Sequence, residues 1–597
     1  MYILGLSCFY HDAAAALIKD GKLIASTEEE RFSRKKHDSG FPEKAINFCL
    51  EFAGISSEDL DFVVFHEKPF LKFERILKTV IRTYPQSAGS FSEAMKNWLA
   101  EKLWIKNIIR QKLEIDSEKI LFTEHHLSHA ASTFLVSPYD EAAILTIDGV
   151  GEWATGTLGI GRDNKVNLFK QIIFPNSLGL LYSAFTAFLG FEVNEGEYKV
   201  MGMAAYGKPR FRKKILENIL KLHDDGSFNL NMDYFSFHYS AARSYSKKFE
   251  QLFGKPRAIN ADFFTYGFEF PSYFGEKPEN YSELCTENQF YADIAASIQA
   301  VTEEIILKQA VYLYKQTNMK NLCLAGGVAL NSVANGRLLR EGPFKNIFIQ
   351  PAPGDSGAAI GAALYVYNHI LGHKRSFILE HAYLGKEYTD EQILAFLNKS
   401  DIPFRRFDTD SELIDFCVSA IEQAKVIGWF QGRSEWGPRA LGNRSIIADA
   451  RNKDMKNIVN LKIKFREPFR PFAPVIKESE LENFFNVENK TLYPFRYMLM
   501  VLPIKEEKRK LIPAVDHEGT GRVQTITKTW NPLYYQLVEK FAQKTGIPLL
   551  LNTSFNLKGE PIVNSPQNAY NTFMNSGLDL LVLESFVVER KDIAENV

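Results

Sequence analysis

AAILTIDGVGEWATGTLGIG, residues 142–161, is an apolar run, a glycine-rich turn and a second run of small and apolar residues. This order predicts two strands joined by a turn. The chain also begins with a strand, a turn and a strand, starting from YILGLS at residues 2–7. Two such openings in one chain suggest a duplicated α/β unit with a nucleotide cleft between the copies, although sequence identity between the openings is low.

The composition describes a globular chain of several domains. Its 597 residues are too many for one core and predict two to four domains. Apolar residues make up 45%, charged residues 24%, and the net charge is -1, so the total gives no sign of nucleic-acid binding. A local patch could still contact RNA, because a neutral total can hide one. We expect no nucleic-acid partner.

Three further features predict a cytoplasmic protein without a membrane segment. No apolar run reaches the ~20 residues of a membrane-spanning helix, and the N-terminus lacks the basic stretch of a signal peptide. The cysteines are scattered and never form a C-x-x-C pair, which argues against a disulfide framework or a cysteine zinc site. They are Cys8, Cys49, Cys285, Cys323 and Cys417, and we expect them to be small buried side chains.

The pattern of apolar segments divides the chain into two domains, residues 1–372 and 385–597. Early in the first domain, AAAALIKDGKLIASTEEERFS predicts a hairpin with Asp20 and Gly21 as its turn. Residues 207–285 are rich in Phe, Tyr and Lys and have poor periodicity, so we interpret them as an insertion or cap. They could be packed loops or a wall of an acceptor pocket.

The motif TEHHLSHAAS raises the question of a metal ion. His125 and His129 lie four residues apart and would share one face of a helix. Asp148 and Asp355 each follow an apolar strand and precede glycine, so their carboxylates would lie at strand ends, where ligands bind in open α/β sheets. Two imidazoles and two carboxylates suit Fe(II), Zn(II) or Mn(II). A lone H-x-x-x-H is commonly an ordinary polar pair, and His126, off the shared face, is interpreted as structural.

Another histidine lies in the first hairpin. FYHDAAAAL places His11 and Asp12 in the turn between two strands. If that turn faces the cleft, His11 is a candidate general base, because a pKa near neutrality suits removal of a hydroxyl proton. A turn histidine considered alone is more often structural.

Three glycine-rich turns follow strands: IDGVGE, LAGGVALN and GDSGAAIGAA. Backbone N–H groups in such turns, and at helix N-termini, can bind phosphate. Gly326 and Gly327 of the second turn are therefore candidate nucleotide-binding residues. None of the three is a Walker A loop or a G-x-G-x-x-G motif, so each could also be a simple tight turn.

Basic residues collect in GRSEWGPRALGNRSI and KIKFREPFRPFAP of the second domain. Arginine binds phosphate through two donors and lysine adds a point charge, so a polyanion such as ATP is expected here. Aromatic residues between the charges favour a partly buried wall over a solvated basic face. The basic residues are Arg433, Arg439, Arg444, Lys464, Arg466 and Arg470. LLLNTSFN adds Asn552, Thr553, Ser554 and Asn556, each of which alone would be a satisfied turn residue.

A series of motifs resembles the O-carbamoyltransferases of the nodulation-factor, cephamycin and tobramycin type. The resemblance extends in order from residue 1 to about 590. The motifs are FYHDAAAAL, EEERFSRKKHDSGFP, HHLSHAAS, TIDGVGE, EYKVMGMAAYG, GGVALN, PGDSGAAIGAAL, GRSEWGPRALGNRSI, REPFRPFAP and LNTSFN.

The resemblance implies a Kae1-type domain with the actin-like ATPase fold of two duplicated lobes, followed by a YrdC-type α/β domain. The second domain would make carbamoyl-adenylate from ATP and carbamoyl phosphate. The first would hold this anhydride with a divalent metal, which is iron in the family. A hydroxyl of a small molecule would then accept the carbamoyl group.

The resemblance also assigns site residues. It makes His125, His129, Asp148 and Asp355 the metal ligands and His11 the base. It places Asn331 at the adenosine held by the first domain, and Lys464 and Arg470 in the adenylate-forming site. Ser554 and Arg522 receive no specific contact. The full set of predicted cofactor-binding residues is Asp12, Gly326, Gly327, Asn331, Arg439, Arg444, Lys464, Arg470, Asn552 and Ser554.

Three other functions compete with this prediction. A tRNA threonylcarbamoyl-transfer enzyme normally keeps the two activities on separate chains, and a basic excess is missing here. A hydrogenase-maturation carbamoyltransferase would carry an acylphosphatase unit and cysteine-rich zinc motifs, and neither is found in this sequence. A non-catalytic nucleotide sensor of the actin-like superfamily would not need the two histidines and two aspartates. The acceptor, whether sugar, aminoglycoside, β-lactam side chain or toxin alcohol, is left open.

Overall fold

A computed structural model describes residues 1–240, 242–267, 270–271, 274–487 and 492–590. The chain divides into two units. The first comprises Met1–Ala25, Ser39–Phe270 and Lys277–Leu379, and the second comprises Ser26–Asp38, Pro271–Glu276 and Glu380–Val597. The break after Leu379 lies in the stretch that the sequence analysis left between its two domains.

Two short segments depart from the predicted division of the chain. Ser26–Asp38 and Pro271–Glu276 belong to the second unit, although the sequence analysis placed both within the first domain. Apolar periodicity indicates the local structure of a segment, but it does not indicate which core the segment joins.

The strands of the first unit build two five-stranded sheets and a two-stranded sheet. In chain order they are β1 (Tyr2–Ser7), β2 (Ala14–Lys19), β3 (Lys22–Glu28, whose last residues belong to the second unit), β4 (Phe62–Phe65), β5 (Ile120–Phe122), β6 (Glu141–Ile147), β7 (Ala154–Arg162), β8 (Lys165–Ile173), β9 (Leu220–Leu222), β10 (Phe228–Leu230), β11 (Asn321–Ala325) and β12 (Asn346–Phe348).

The strands of the second unit are β13 (Arg405–Arg406), β14 (Ile427–Phe430), β15 (Arg444–Ala448), β16 (Ala473–Lys477), β17 (Val501–Pro503), β18 (Thr520–Arg522), β19 (Gln524–Ile526), β20 (Leu549–Ser554), β21 (Leu580–Leu583) and β22 (Phe586–Glu589). Eight of them form a mixed sheet in the order β13-β22-β21-β14-β15-β20-β16-β19, and β17 pairs with β18.

The α-helices, in chain order, are α1 (Glu30–Ser33), α2 (Glu43–Ala53), α3 (Pro69–Thr83), α4 (Ala88–Ala100), α5 (Ile105–Leu113), α6 (His125–Phe134), α7 (Leu178–Phe188), α8 (Glu197–Ala204), α9 (Arg212–Asn218), α10 (Lys247–Phe253), α11 (Tyr281–Thr317), α12 (Ser332–Glu341), α13 (Asp355–Leu364), α14 (Asp390–Lys399), α15 (Asp410–Glu422), α16 (Met455–Val459), α17 (Leu481–Phe484), α18 (Glu506–Arg509), α19 (Pro532–Thr545) and α20 (Pro566–Met574). Among the described residues, none of these helices is both long and apolar enough to cross a membrane.

The first unit contains the predicted duplication. Its first sheet has the order β3-β2-β1-β4-β5 and its second the order β8-β7-β6-β11-β12. In each, the middle strand pairs antiparallel with the strand that follows it and parallel with a later one: β1 with β2 and β4, β6 with β7 and β11. This repeated topology is the duplicated-lobe arrangement of the actin-like fold.

The first hairpin has the predicted turn. Asp20 and Gly21 join β2 to β3, and both have positive φ angles, 50° and 77°. A two-residue turn with two positive φ angles matches the twist of the strands that it connects, and Asp-Gly is a favoured pair for it. The local sequence was therefore sufficient to predict this turn.

Helix α13 packs closely because its sequence, DSGAAIGAAL, is built from small residues. A Cβ added at Gly361 would lie 1.8 Å from the carbonyl oxygen of Ser128 in α6, and one added at Gly5 in β1 would lie 1.9 Å from the carbonyl oxygen of Ala359. Both glycines thus permit backbone contact that a larger residue would prevent. This close approach brings the first residue of α13, Asp355, next to α6.

The predicted insertion, residues 207–285, contains α9, the β9–β10 pair and α10. Phe249 and Phe253 of α10 are buried and pack against Phe185 of α7, with ring centroids 4.9 and 5.4 Å apart. These aromatic side chains therefore belong to the core of the first unit rather than to an open wall. Residues 241, 268–269 and 272–273 of the stretch lie outside the described residues. Elsewhere, all five cysteines are buried free thiols, as predicted.

Candidate functional site

Helix α6 places the first pair of candidate ligands side by side. It begins at His125, and His129 follows one turn later on the same face. Their Nε2 atoms lie 3.0 Å apart, and the two residues are 1% and 0% exposed. Two buried imidazoles that turn the same ring atom toward one point form half of a binding site.

Two carboxylates complete the group. Strand β6 ends next to α6, and helix α13 begins next to it. Asp148 follows β6, and its Oδ2 lies 3.1 Å from Nε2 of His125 and 2.7 Å from Nε2 of His129. Asp355 opens α13, and its Oδ1 lies 3.6 and 3.4 Å from the same two nitrogens. The four predicted ligands therefore converge, with donor atoms all within 4.8 Å of one another.

The spacing of these atoms fits a divalent cation. Ligands that bind a metal at ~2.1 Å, at tetrahedral or octahedral angles, lie ~3.0–3.4 Å from each other. The separations that involve the two histidine nitrogens, 2.7 to 3.6 Å, cover this range. A mixed nitrogen and oxygen donor set accepts Fe(II), Zn(II) or Mn(II), so the geometry does not select among these metals. We call these four residues the metal centre.

The electrostatics of the metal centre reflect paired opposite charges. Burial alone would raise the pKa of Asp148, but hydrogen bonds from His125 and His129 hold it well below its usual range. Burial and the nearby Asp148 would likewise raise the pKa of Asp355, but the histidines around it lower the pKa. Burial opposes protonation of His129, yet its contacts with Asp148 and Asp355 raise the pKa to about 9.

Glycine-rich turns that were predicted to bind phosphate also donate hydrogen bonds to Asp148. Oδ1 of Asp148 accepts hydrogen bonds from the backbone N–H groups of Gly149 at 2.7 Å and Gly327 at 3.3 Å. Gly326 has a φ of 92°, and a Cβ there would lie 2.2 Å from the carbonyl oxygen of Ile147. These contacts fix one carboxylate oxygen and leave Oδ2 for the histidines. Their predicted role in nucleotide binding stays a prediction.

His11 lies at the edge of the metal centre. Its Nε2 is 3.8 Å from Oδ2 of Asp355, and its Nδ1 is 2.9 Å from Oδ2 of Asp12. Burial would lower the pKa of His11, but the two carboxylates raise it to about 9. A cation bound to Asp355 would oppose this rise, because it adds positive charge beside the ring. The contact between Oδ2 of Asp12 and Nδ1 of His11 fixes the orientation of the His11 ring.

Asn331 has a structural role in this geometry. Its Oδ1 accepts the N–H of Ala334 and so caps α12, and it also accepts from Nε2 of Gln299. Its Nδ2 donates to Oε1 of Gln299. A nucleotide contact by Asn331 would have to share these bonds, and the assignment stays a prediction.

His126 is structural, as predicted. It is buried, with ring nitrogens 2.6 Å from the Thr146 hydroxyl and 3.0 Å from the Ala154 carbonyl oxygen. Burial lowers its pKa to about 3, so the ring is neutral. Its two contacts account for both ring nitrogens.

Several residues around the metal centre were missed by the sequence analysis. Glu152 accepts the backbone N–H of His125 at 3.0 Å and that of Lys68 at 2.8 Å, so it holds the first turn of α6. Glu67 lies behind His125, with Oε2 3.9 Å from the other ring nitrogen, Nδ1, and 2.6 Å from Nζ of Lys72. A polar H-E-K run directly after strand β4 was the available signal.

A second group of predicted residues comes together in the second unit. Nζ of Lys464 lies 2.8 Å from Oδ1 of Asn556 and 3.2 Å from Oγ of Ser554. Burial lowers the pKa of Lys464 well below its usual value, and the nearby positive charges of Arg466 and Arg470 lower it further. We call Lys464, Arg466 and Arg470 the basic cluster.

Arg444 and Asn552 serve the scaffold beside this cluster. The guanidinium of Arg444 donates to four backbone carbonyl oxygens, those of Gln431, Asn443, Lys386 and Gly432. Asn552 is fully buried, and its Nδ2 donates to Ala440 and Gln524. These contacts occupy the donors named, and the predicted role of both residues in cofactor binding stays a prediction. Arg439 is half-buried in residues 431–443, the loop between β14 and β15, and Arg522 lies in β18.

Comparison with known proteins gives the class of protein. Residues 2–364 match the family model of the carbamoyltransferase N-terminus, and residues 418–590 match that of the carbamoyltransferase C-terminus. These matches cover most of the chain. The protein therefore belongs to the carbamoyltransferase family, as the motifs predicted.

Its relatives include proteins of similar length. An uncharacterized protein of Synechocystis sp. is 45% identical over 622 residues, which cover 99% of this chain and 97% of the relative. Nodulation protein NolNO of Sinorhizobium fredii is 36% identical over 591 residues, which cover 98% of this chain and 79% of the relative. Among solved structures, HypF of T. kodakarensis aligns with 62% of this chain and 48% of its own, at 16% identity and a TM-score of 0.31.

Proposed function

We propose that this carbamoyltransferase activates carbamoyl phosphate with ATP in its second unit, and transfers the carbamoyl group to a hydroxyl of a small molecule in its first unit. The observation that carries the proposal is the convergence of His125, His129, Asp148 and Asp355 beside His11. In a carbamoyltransferase, such a group supplies both a cation site and a neighbouring base.

The activation step follows from the chemistry of the carbamoyl group. Carbamate has no good leaving group, so it must be joined to one before transfer. Carbamoyl phosphate and water give carbamate and phosphate; a carbamate oxygen then attacks the α-phosphorus of ATP, and pyrophosphate leaves. The product is carbamoyl-adenylate, with AMP as the leaving group.

The basic cluster is suited to bind the phosphates in this step. Lys464, Arg466 and Arg470 gather three cationic side chains, and their mutual repulsion falls when a polyanion binds between them. Ser554 and Asn556 hold Nζ of Lys464 in place. Arginine and lysine are the side chains that bind phosphate most strongly.

In the transfer step, the acceptor oxygen attacks the carbamoyl carbon and AMP leaves. A divalent cation at the metal centre would supply Lewis-acid polarisation of an oxygen of the anhydride. His11 is placed to take the hydroxyl proton, because it lies beside Asp355 and Asp12 fixes its ring through Nδ1. The product is a carbamate ester.

A small-molecule acceptor is favoured over tRNA. The net charge of the chain is -1, and nucleic-acid binding depends on neutralising many phosphates. The closed contacts of the described aromatic residues in 207–285 give no acceptor specificity, so the acceptor is defined only as a hydroxyl-bearing compound.

The proposal is tested by mixing the protein with ATP, carbamoyl phosphate and Fe(II). We expect pyrophosphate release that depends on carbamoyl phosphate. Candidate alcohols added to the mixture should gain the mass of one carbamoyl group in mass spectrometry. A folded protein that releases no pyrophosphate would contradict the proposal and favour a nucleotide-binding protein without catalysis.

A further inference from the structure

We propose that the segment Ser26–Asp38 is a positioning element of the second unit, and that it orders two loops that adjoin the basic cluster. The loops are residues 431–443, which lead into β15, and residues 555–565, which follow β20. Ser445 near the start of β15 pairs with Ser554 at the end of β20. Both loops therefore lie at the same end of these two neighbouring strands. The effect on catalysis rests on the proposed function, whereas the ordering of the loops does not.

The first contact of the segment is a clamp on the backbone of one residue, Gly437. Oε1 of Glu28 accepts the N–H of Gly437 at 2.8 Å, and Nη2 of Arg31 donates to the carbonyl oxygen of Gly437 at 2.5 Å. Glu28 and Arg31 are 5% and 1% exposed and form an ion pair at 3.5 Å. Burial raises the pKa of Glu28, although Arg31 opposes the rise. The loop that carries Arg439 is therefore held by two charge-assisted bonds.

Gly437 has a φ of 99°, a left-handed conformation that favours glycine. Glu435 lies in the same loop. Its Oε1 accepts the N–H groups of Leu441 and Asn443 at 2.7 and 2.8 Å. The internal bonds hold the second half of the loop, and the clamp holds its middle. Without Glu28 and Arg31, the backbone N–H and carbonyl groups of Gly437 would lose their described side-chain partners.

The second contact reaches the basic cluster through the other loop. Arg34 donates from Nη2 to the carbonyl oxygen of Pro561 at 2.7 Å and from Nη1 to that of Ile562 at 2.6 Å. One residue before, the carbonyl oxygen of Glu560 accepts from Nδ2 of Asn556 at 2.6 Å. Oδ1 of that amide accepts from Nζ of Lys464 at 2.8 Å. Hydrogen bonds, with one covalent step along the backbone from Pro561 to Glu560, thus join Arg34 to Lys464.

The acceptors of Arg34 are backbone carbonyl oxygens of the loop 555–565. Fixing a loop before a ligand binds removes an entropy cost from binding and keeps the binding groups in position. A segment from near the start of the chain, 528 residues before Ile562, performs this for the phosphate-binding side of the second unit. We therefore expect its loss to weaken substrate binding more than folding.

The test compares two variants of the full-length chain, Arg34→Met and Lys35→Met. Both remove one positive charge from the same segment, but Lys35 is exposed. Hydrogen–deuterium exchange should become faster in residues 556–564 of Arg34→Met only. The KM for carbamoyl phosphate in ATP–pyrophosphate exchange should rise about tenfold or more, with a smaller change in kcat, since two charge-assisted hydrogen bonds are lost. Added guanidinium should lower the KM of Arg34→Met and leave Lys35→Met unchanged.

A further variant tests the proposal if Arg34→Met does not fold. If Arg34→Met does not fold, Arg34→Lys, which can still make one of the two bonds, should fold and show an intermediate rise in exchange and KM. Equal exchange rates in Arg34→Met and Lys35→Met would overturn the proposal. So would faster loop exchange with an unchanged KM, because the segment would then be only structural. If the wild type has no ATP–pyrophosphate exchange, the proposed function fails, and the hydrogen-exchange comparison alone decides the ordering role.

Discussion

The metal centre of the first unit and the basic cluster of the second differ in the charges that surround their buried groups. At the metal centre, carboxylates and imidazoles lie in contact, so burial is offset by attraction and the pKa of each aspartate falls while that of His129 rises. At the basic cluster, Arg466 and Arg470 add repulsion to the burial of Lys464, and its pKa falls. This difference in charge supports the proposed ligands, a cation for the first site and a polyanion for the second.

The largest effect should come from removing a ligand of the metal centre. We expect His129→Ala to lower the affinity for Fe(II) or Zn(II) by at least ~100-fold and carbamoyl transfer by ~10³-fold, because the site loses one of its two imidazole ligands. Pyrophosphate release should persist, since it belongs to the other unit. Metal affinity is measured by chelator competition, with exposed His373→Ala as the control. Unchanged metal binding in His129→Ala would break the comparison.

The reciprocal change should affect the other half of the reaction. Lys464→Met is expected to lower carbamoyl-phosphate-dependent pyrophosphate release by ~10²–10³-fold, the usual cost of one lost charge-stabilising donor. Metal affinity should stay at the wild-type value. Lys462→Met is the matched control, because Lys462 lies two residues away and pairs with Asp579 instead. A similar loss in both lysine variants would mean that the charge of Lys464 has no special role.

A smaller effect should separate the metal ligands from their support. Glu152→Gln keeps the shape of the side chain but weakens its bonds to the N-terminus of α6. We expect metal affinity to fall about tenfold and the free energy of unfolding to fall by about 1 kcal/mol. Glu124→Gln, an exposed residue just before α6, should change neither quantity. Chelator competition and urea unfolding measure the two effects.

The last effect concerns stability alone and depends on pH. Burial and the nearby Arg466 lower the pKa of Lys456 from 10.5 to about 8. Between about pH 8 and 10.5, the unfolded chain therefore binds more protons at this position than the folded chain, and the free energy of unfolding should rise with pH. Relative to Lys456→Met, the wild type should gain about 1 to 2 kcal/mol from pH 7.5 to 10. If the difference in unfolding free energy between the two proteins were the same at every pH, the pKa of Lys456 would not be lowered by folding, and this prediction would be wrong.

The sequence predicted features that depend on local pattern or on strand ends. The Asp20-Gly21 turn, the repeated strand–turn–strand openings and the structural role of His126 all follow from short stretches. The aspartates Asp148 and Asp355 were predicted to lie together because each follows an apolar strand, although Asp355 lies at the start of α13, seven residues after β12 ends. Each of these inferences needed only the residues next to it in the chain.

What the sequence did not predict depends on contacts between distant residues. Glu152 and Glu67 look like ordinary surface acids until β4 and α6 are placed together. The scaffold contacts of Arg444 were not predicted either, because its Nη groups donate to carbonyl oxygens whose positions only the folded loop defines. The membership of Ser26–Asp38 in the second unit rests on bonds such as that of Arg31 to Gly437, 406 residues later.

The path of β3 has a consequence for protein engineering. The chain enters the second unit before it has finished the first, so a polypeptide cut after Leu379 would leave residues 26–38 attached to the wrong fragment. Chimeras that exchange activation modules between relatives should therefore carry this short N-terminal stretch together with the C-terminal portion. Split-gene versions of the enzyme would need to supply the same stretch in trans.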